Sequence, residues 1–133
     1  MITLDTSALY ELLDGKSPDH RRVRAELEDD RGPFIVPAPI LAEIGYMLET
    51  RLQPEVLDAF LEDLEGGAFT LDCCEDDFSD MRRLLRRYAD LSLGLSDASV
   101  IACAERNGGR VLSLDRRDFA VVAREGRITL LPA

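Results

Sequence analysis

The sequence contains very little histidine and lysine, which limits the chemistry that the protein can perform. His20 is the only histidine, Lys16 is the only lysine, and tryptophan is absent. A single histidine argues against histidine-rich zinc sites and against a nucleophile paired with a histidine base. Acid-base or metal chemistry must therefore come from the aspartates and glutamates, which number 26.

Cysteine is also scarce, and no long apolar run is present. Cys73 and Cys74 are adjacent and Cys103 stands alone, a spacing that matches neither a zinc motif nor a disulfide framework, so we interpret all three as small core residues. No segment is apolar over the length that spans a bilayer, and Asp5 interrupts the N-terminal stretch where a secretory signal needs an apolar centre. We expect a cytoplasmic protein.

Positive charge is the third scarce property. The chain has 133 residues and a formal net charge of −10, and 46% of its residues are apolar. Length and composition predict one globular domain over residues 1–133. The negative charge argues against binding of nucleic acid by general electrostatic attraction, so a polyanionic substrate would need metal ions or local arginines.

Short apolar runs alternate with helical patterns along the chain. The runs predict five strands, Ile2–Leu4, Phe34–Val36, Phe69–Leu71, Val111–Leu114 and Ile128–Leu131. The patterns predict helices over Ser7–Leu13, Asp19–Glu28, Pro39–Arg51, from Pro54 to Gly66-Gly67, from Phe78 to Tyr88, and over Ser96–Asn107. The alternation predicts an α/β fold, a three-layer α/β/α sandwich on a mainly parallel five-stranded sheet, in which ligands bind beyond the carboxyl ends of the strands.

Four acids lie where a solvated carboxylate is not expected. Asp5 and Asp115 directly follow apolar strands, whereas Glu43 and Asp97 lie on predicted helices at positions that share the apolar stripe. Like charges about 4 Å apart repel by roughly 4 kcal/mol at an effective dielectric of 20, so acids that gather at one edge of a sheet need a compensating partner. Mg²⁺ or Mn²⁺ bound by carboxylate oxygens provides one.

A metal ion at this edge has direct chemistry with phosphodiesters. It can polarise the phosphoryl group, lower the pKa of bound water and stabilise the leaving oxygen. The hydroxyls of Thr6, Ser7 and Ser113 are placed to orient a metal-bound water or a liganding acid.

The acids also have structural explanations, which remain open at this point and are weakest for Glu43, because unpaired buried glutamates are rare. Asp5 and Asp97 could cap or complement the start of a helix. Asp115 and Asp118 could form the turn after a strand. Protonation of one acid could also relieve the repulsion. A metal site accounts for the positions of all four acids at once, whereas each alternative accounts for one or two of them.

Four segments carry a family resemblance. LDTSAL, PAPILAEIGY, LGLSDASVIACAE and VLSLDRRDF resemble in order and spacing the motifs of the PIN-domain family, and most closely the VapC-type ribonuclease toxins of bacterial toxin–antitoxin pairs. The resemblance implies cleavage of RNA with Mg²⁺ or Mn²⁺. Its four acidic positions match Asp5, Glu43, Asp97 and Asp115 as catalytic residues, of which Asp5, Asp97 and Asp115 hold the metal directly or through water.

The resemblance also implies supporting residues and partners. Asp118 matches a position that is acidic in some family members, and Ser7 and Ser113 match polar positions that support the acids. A homodimer and a cognate antitoxin that covers the active-site groove are further implications. From their place beside the fourth acid, Arg116 and Arg117 are candidates for RNA phosphate contacts.

Three other classes of protein share features of this sequence. A receiver-type signalling domain needs a lysine near its last strands, and Lys16 is the only lysine. A haloacid-dehalogenase-like phosphatase needs a second aspartate where Ser7 stands. A catalytically silent, metal-dependent module that binds RNA or a protein partner keeps the same fold, and it remains the alternative to an enzyme.

Overall fold

The sheet consists of five short strands that all run parallel. The computed structural model describes residues 1–133, and its strands are β1 (Ile2–Leu4), β2 (Phe34–Pro37), β3 (Thr70–Asp72), β4 (Arg110–Leu112) and β5 (Thr129–Leu131). Their order across the sheet is β3-β2-β1-β4-β5, and every neighbouring pair is parallel. The predicted parallel sheet is confirmed, with strand bounds that differ from the prediction by one or two residues.

Seven α-helices connect and cover the strands. They are α1 (Thr6–Leu13), α2 (His20–Glu28), α3 (Leu41–Arg51), α4 (Pro54–Gly66), α5 (Phe78–Arg87), α6 (Leu95–Arg106) and α7 (Arg116–Arg124), and a 3-10 turn (Ala38–Ile40) precedes α3. The arrangement is the predicted α/β/α sandwich. Helix α7 was not predicted, because its nine residues bury a stripe of only Asp118, Phe119 and Val122, too short to stand out in the sequence. Scanning the helices for one with the length and hydropathy of a membrane span finds none.

Strand β1 and helix α6 form the centre of the core. All three residues of β1 are fully buried, because the strand is paired on both sides and covered on both faces. Helix α6 buries an unbroken run, 98–104, of mostly small side chains, and it contacts β1, β2 and β4. Small residues let α6 lie close to the sheet along its length.

The chain reverses its direction across the sheet between β1 and β4. Strands β2 and β3 extend to one side of β1, whereas β4 and β5 extend to the other. Leu4 is in register with Leu112, and the Asp5 N–H donates to the Leu112 carbonyl at 3.0 Å. The residues that follow β1 and β4 therefore lie side by side at a topological switch point, where open parallel sheets form a crevice.

Candidate active site

Asp5 lies buried at the end of β1, with 5% of its surface exposed. Its Oδ2 atom accepts hydrogen bonds from Ser113 Oγ at 2.7 Å and from Ser7 Oγ at 3.0 Å. Although Asp5 occupies the N-cap position of α1, its side chain makes no capping hydrogen bond. Burial raises the pKa of Asp5, the two serine hydroxyls oppose that rise, and the charge of Asp115 adds to it.

Ser7 and Ser113 connect this carboxylate to the turn after β4. Ser7 Oγ accepts the Leu114 N–H, and Ser113 Oγ accepts the Asp115 N–H, both at 3.0 Å. Each hydroxyl accepts from the backbone and donates to Asp5, and the two hydroxyl oxygens are 3.2 Å apart. The backbone that carries Asp115 is thereby tied to Asp5. These bonds are of the kind expected of supporting residues.

Asp97 lies in the first turn of α6, where the charges of the strand-end acids act on it. Its Oδ2 atom accepts the Gly94 N–H at 3.3 Å, so part of the capping alternative is observed. The pKa of Asp97 is raised to about 6, mainly by burial, and further by the negative charges of Asp5, Asp115 and Asp118. The cap bond acts in the opposite direction and does not cancel these effects.

Asp115 and Asp118 flank the start of α7. Asp115 is exposed and holds the N-cap position without a capping side-chain bond. Asp118 is 6% exposed, and its charge acts on Asp97, so the structure brings it into the same cluster. The family resemblance supports Asp118 only as a position that is acidic in some members, although its spacing of three residues from Asp115 is compatible with one side of a helical turn.

Glu43 does not face inward as predicted. Its side chain is exposed, whereas Ile44 and Leu48 form the buried face of α3. The prediction was wrong because it placed Glu43 on a stripe with Ile40 and Met47, whereas the buried stripe consists of Ile40, Ile44 and Leu48 at a spacing of four residues. Met47 is only half-buried, and Glu43 lies beside this stripe in solvent. Glu43 Oε2 still accepts a hydrogen bond from Ser96 Oγ at 3.4 Å. Glu43 is therefore beside the first turn of α6, one residue from Asp97.

The two arginines predicted near phosphate occupy different surroundings. Arg116 Nη1 donates to the Pro132 carbonyl at 2.6 Å, which holds this guanidinium against the C-terminal segment. The side chain of Arg117 is 81% exposed, with its Nε 4.0 Å from Asp118 Oδ1. Arg117 is the more available of the two for a ligand.

Three carboxylates of this cluster lack a cationic partner within the protein, and Asp118 has only the 4.0 Å contact with Arg117. No lysine, arginine or histidine forms an ion pair with Asp5, Asp97 or Asp115. An all-oxygen set of donors fits a hard divalent cation, and Mg²⁺ keeps several waters, so its carboxylates need not touch one another. The set whose potential ligand atoms all lie within 4.8 Å of one another is elsewhere and consists of Asp72, Cys74 and Cys103.

Comparisons with known proteins agree with this architecture. The PIN domain family matches residues 2–125. Ribonuclease VapC26 of Mycobacterium tuberculosis is 32% identical in an alignment of 133 positions that covers 97% of this chain and 98% of that protein.

Two solved structures share the fold. The VapC20 toxin of Mycobacterium tuberculosis, described as cleaving the sarcin–ricin loop, superposes with a TM-score of 0.77 at 18% identity over 92% of this chain and 95% of that one. FitAcB from Neisseria gonorrhoeae superposes with a TM-score of 0.64 at 18% identity, over 98% and 96% of the two chains. At these identities the two structures support the fold alone.

Proposed function

This chain belongs to the PIN-domain family, and from that premise we propose that it is a metal-dependent endoribonuclease, the toxin of a type II toxin–antitoxin pair. Residues 1–133 act as a single nuclease domain that hydrolyses RNA phosphodiester bonds. Asp5, Asp97 and Asp115 hold Mg²⁺ or Mn²⁺, and Glu43 completes the catalytic set. The 32% identity to a ribonuclease over nearly the whole length supports the reaction class.

The observation that carries the proposal is the meeting of acids without a counter-charge. The pKa of Asp97 stands at about 6 because burial and three neighbouring carboxylates disfavour its charged form. A protein that needed only a stable fold would gain by replacing one of them with an uncharged residue. A divalent cation held by Asp5, Asp97 and Asp115 would offset the repulsion, and when bound it would polarise the phosphoryl group and activate water for the attack.

The chain's own residues divide the remaining work. Both serine hydroxyls donate to Oδ2 of Asp5 and thereby orient the carboxylate. Neither serine binds Oδ1, so that oxygen remains available to a metal ion. Glu43 is exposed and forms no ion pair, so its carboxylate can orient an attacking water and accept its proton. Asp118 adds negative charge to the metal-binding edge.

RNA binding depends on local contacts, since the net charge of −10 gives no general attraction. Arg117 extends into solvent beside Asp118 and contacts phosphate, with Arg116 in a secondary position because Pro132 already engages one of its donors. When arginines neutralise phosphates near the cleavage point, the RNA backbone can approach the acidic residues more closely.

A cognate antitoxin is the proposed protein partner. It follows from membership of a toxin family, and an antitoxin that covers the crevice would block access of RNA to Asp5 and Asp97. The proposed assembly of the toxin is a homodimer, which light scattering of the purified chain tests directly.

The test of the activity compares the wild type with two matched substitutions. Protein freed of any antitoxin is incubated with structured RNAs in Mn²⁺ or in EDTA, beside Asp5→Asn and the exposed helix α4 control Asp58→Asn. We expect cleavage by the wild type and by Asp58→Asn in Mn²⁺ only, and a loss greater than about 100-fold in Asp5→Asn.

Two results would contradict the proposal. Equal degradation by the wild type and Asp5→Asn would mean that a contaminant cleaves the RNA. Metal-dependent RNA binding without cleavage would favour the alternative, a catalytically silent module that binds RNA or a protein partner.

A further inference from the structure

Cys74 and Cys103 are far apart in the sequence and close together in the fold. Cys74 is 2% exposed and Cys103 is fully buried, and their Sγ atoms lie within 4.8 Å of each other. All three cysteines are free thiols, and Cys73 is exposed, so the interpretation of all three as core residues is wrong for Cys73. The sequence spacing gave no indication of the pair.

The surrounding hydrogen bonds hold the two sulfurs in place. Cys74 adopts a left-handed backbone conformation with φ of 59°, and its N–H donates to Asp72 Oδ1 at 2.9 Å. On the other side, Asn107 Nδ2 donates to the Cys103 carbonyl at 2.8 Å and approaches Cys103 Sγ at 3.6 Å. A fixed approach of two thiols favours a bond between them, because little conformational freedom remains to be lost.

The environment also activates one thiol. The pKa of Cys103 is lowered mainly by the adjacent Cys74 thiol, and the charge of Arg106 contributes to the same effect. The Cys74 thiol itself donates a hydrogen bond to the Asp72 carbonyl at 3.4 Å. The pKa of Cys74 is raised in return. Two adjacent thiols whose pKa values are shifted in opposite directions resemble the arrangement of reactive dithiols, in which the thiol that loses its proton more readily is the nucleophile.

Small oxidants have a path to this pair. A surface cavity of about 70 Å³ is lined by Asp72, Cys74, Glu75, Asp76 and Arg106. A cavity needs roughly 10–15 Å³ to hold one water, so hydrogen peroxide fits beside Cys74. Cys103 does not line this cavity, so Cys74 is the thiol of the pair that a small oxidant meets first.

A soft metal ion is the competing ligand for these sulfurs, with Asp72 as the third donor. Asp72 is already saturated. Its Oδ1 accepts from Cys74 N and Arg106 Nη2, and its Oδ2 accepts from Arg106 Nη1 and Asn107 Nδ2, at 2.9 to 3.2 Å. A cation placed there would also lie beside the Arg106 guanidinium, so the geometry favours chemistry between the two sulfurs.

We propose that Cys74 and Cys103 form a reactive dithiol that hydrogen peroxide converts into an intramolecular disulfide, joining the turn after β3 to the last turns of α6. One thiolate attacks a peroxide oxygen and displaces hydroxide, which leaves a sulfenic acid. The other sulfur then attacks the sulfenic sulfur, forms the S–S bond and releases water. In sum, two thiols lose two electrons and two protons, and peroxide becomes two waters.

The test uses the folded full chain and a variant that removes the competing thiol. Wild type and Cys73→Ser are treated with equimolar peroxide, then unfolded, alkylated and analysed by mass and peptide mapping. We expect a mass loss of about 2 Da before alkylation, protection of two thiols, and a cross-linked peptide pair containing residues 74 and 103. Dithiothreitol should reverse all three changes.

Further variants sharpen the assignment. Cys74→Ser or Cys103→Ser in the Cys73→Ser background should form no cross-link and should accumulate sulfenic or sulfinic acid on the remaining thiol. The oxidised Cys73→Ser protein should melt at a higher temperature than its reduced form, because the cross-link restrains the unfolded chain. If the double variants do not fold, the peptide map of Cys73→Ser decides the question alone.

Three results would overturn the proposal. One is a Cys73→Ser protein that keeps both thiols free after peroxide. Another is a wild-type disulfide that always includes Cys73, within the chain or between chains. The last is a thiolate-to-metal absorption band on addition of Cd²⁺ to Cys73→Ser, together with the absence of a peroxide cross-link, which would assign the pair to soft-metal binding.

Discussion

The two ends of helix α6 lie beside acidic clusters of opposite electrostatic character. At its first turn, Asp97 meets Asp5 and Asp115 without a cationic partner, and its pKa is raised to about 6. At its last residue, Arg106 meets Asp72 and Asp77, and the guanidinium holds the pKa of Asp72 far below its usual range. Both clusters gather aspartates near the carboxyl ends of parallel strands. Their position in the fold therefore does not tell whether a cluster binds a ligand or stabilises the structure.

The counter-charge makes the difference. Arg106 donates two hydrogen bonds to Asp77 at 2.7 and 2.8 Å and two to Asp72 at 2.9 Å. Asp77 is 2% exposed, yet its charge is matched, and the pair joins the β3–α5 turn to α6. An acid that is buried and paired stabilises the fold, whereas acids that are buried and unpaired cost stability unless a ligand compensates them.

Removal of Arg106 should have the largest effect on stability. Arg106→Ala leaves the buried Asp77 carboxylate uncompensated, and we expect a loss of about 2–4 kcal/mol in the free energy of unfolding. Urea denaturation of the metal-free protein measures it. Arg24→Ala is the control, because Arg24 pairs with Glu28 at 2.7 Å with both side chains exposed, and such pairs contribute less than about 1 kcal/mol. Equal losses in the two variants would show that the cluster around Arg106 is not special.

Neutralising one acid from each cluster should change stability in opposite directions. We expect Asp97→Asn to raise the metal-free stability at neutral pH by about 1–2 kcal/mol, because it removes a disfavoured charge, and to abolish stabilisation by Mn²⁺. Asp77→Asn should lower stability, because it breaks the bidentate pair with Arg106. Urea denaturation with and without Mn²⁺ measures both. A loss in Asp97→Asn under both conditions would support the capping role instead.

The unpaired cluster should also make the metal-free wild type more stable in mild acid. A raised folded-state pKa gives a contribution that is complete below the unfolded value of 3.8 and is lost as the pH rises through about 6. Stability should therefore increase by about 1–2 kcal/mol between pH 7 and pH 5. The Asp30 carboxylate, whose pKa is lowered to about 2, loses its contribution only below that window.

The control for this pH dependence is the same substitution. Asp97→Asn should show little gain between neutral and mildly acidic pH, measured by thermal unfolding in matched ionic strength. An unchanged gain in Asp97→Asn would assign the dependence to another group.

The smallest expected effect concerns the hydroxyl that supports Asp5. Ser113→Ala removes the 2.7 Å hydrogen bond to Asp5 Oδ2 and the acceptor of the Asp115 N–H. We expect the free energy of unfolding to fall by about 1 kcal/mol. We also expect the affinity for Mn²⁺ to fall about 10-fold, as it does when other groups that orient a metal ligand are removed. A thermal shift titration measures both, with the exposed Ser92→Ala as the control. A response equal to that of Ser92→Ala would remove Ser113 from the site.

Prediction from the sequence succeeded where a pattern is local. The strands were found from short apolar runs, and the apolar residues Ile2 and Leu4 are fully buried as a covered parallel strand requires. It failed for the inward orientation of Glu43, because the buried stripe follows Ile40, Ile44 and Leu48 at a spacing of four residues and leaves Glu43 beside it. It also missed helix α7 and with it the buried position of Asp118. The buried stripe of α7 has only three residues, and so short a pattern cannot be distinguished from a turn in the sequence.

The sequence by itself determined the alternation of strands and helices, and with it the meeting of Asp5 and Asp115 at one edge, because backbone periodicity and parallel connections depend on residues near one another in the chain. Only the tertiary structure decided which acids are paired, which serines hold Asp5, and that Cys74 faces Cys103. These contacts join residues that are distant in sequence, and side-chain direction, burial and counter-charge become defined only when the layers pack.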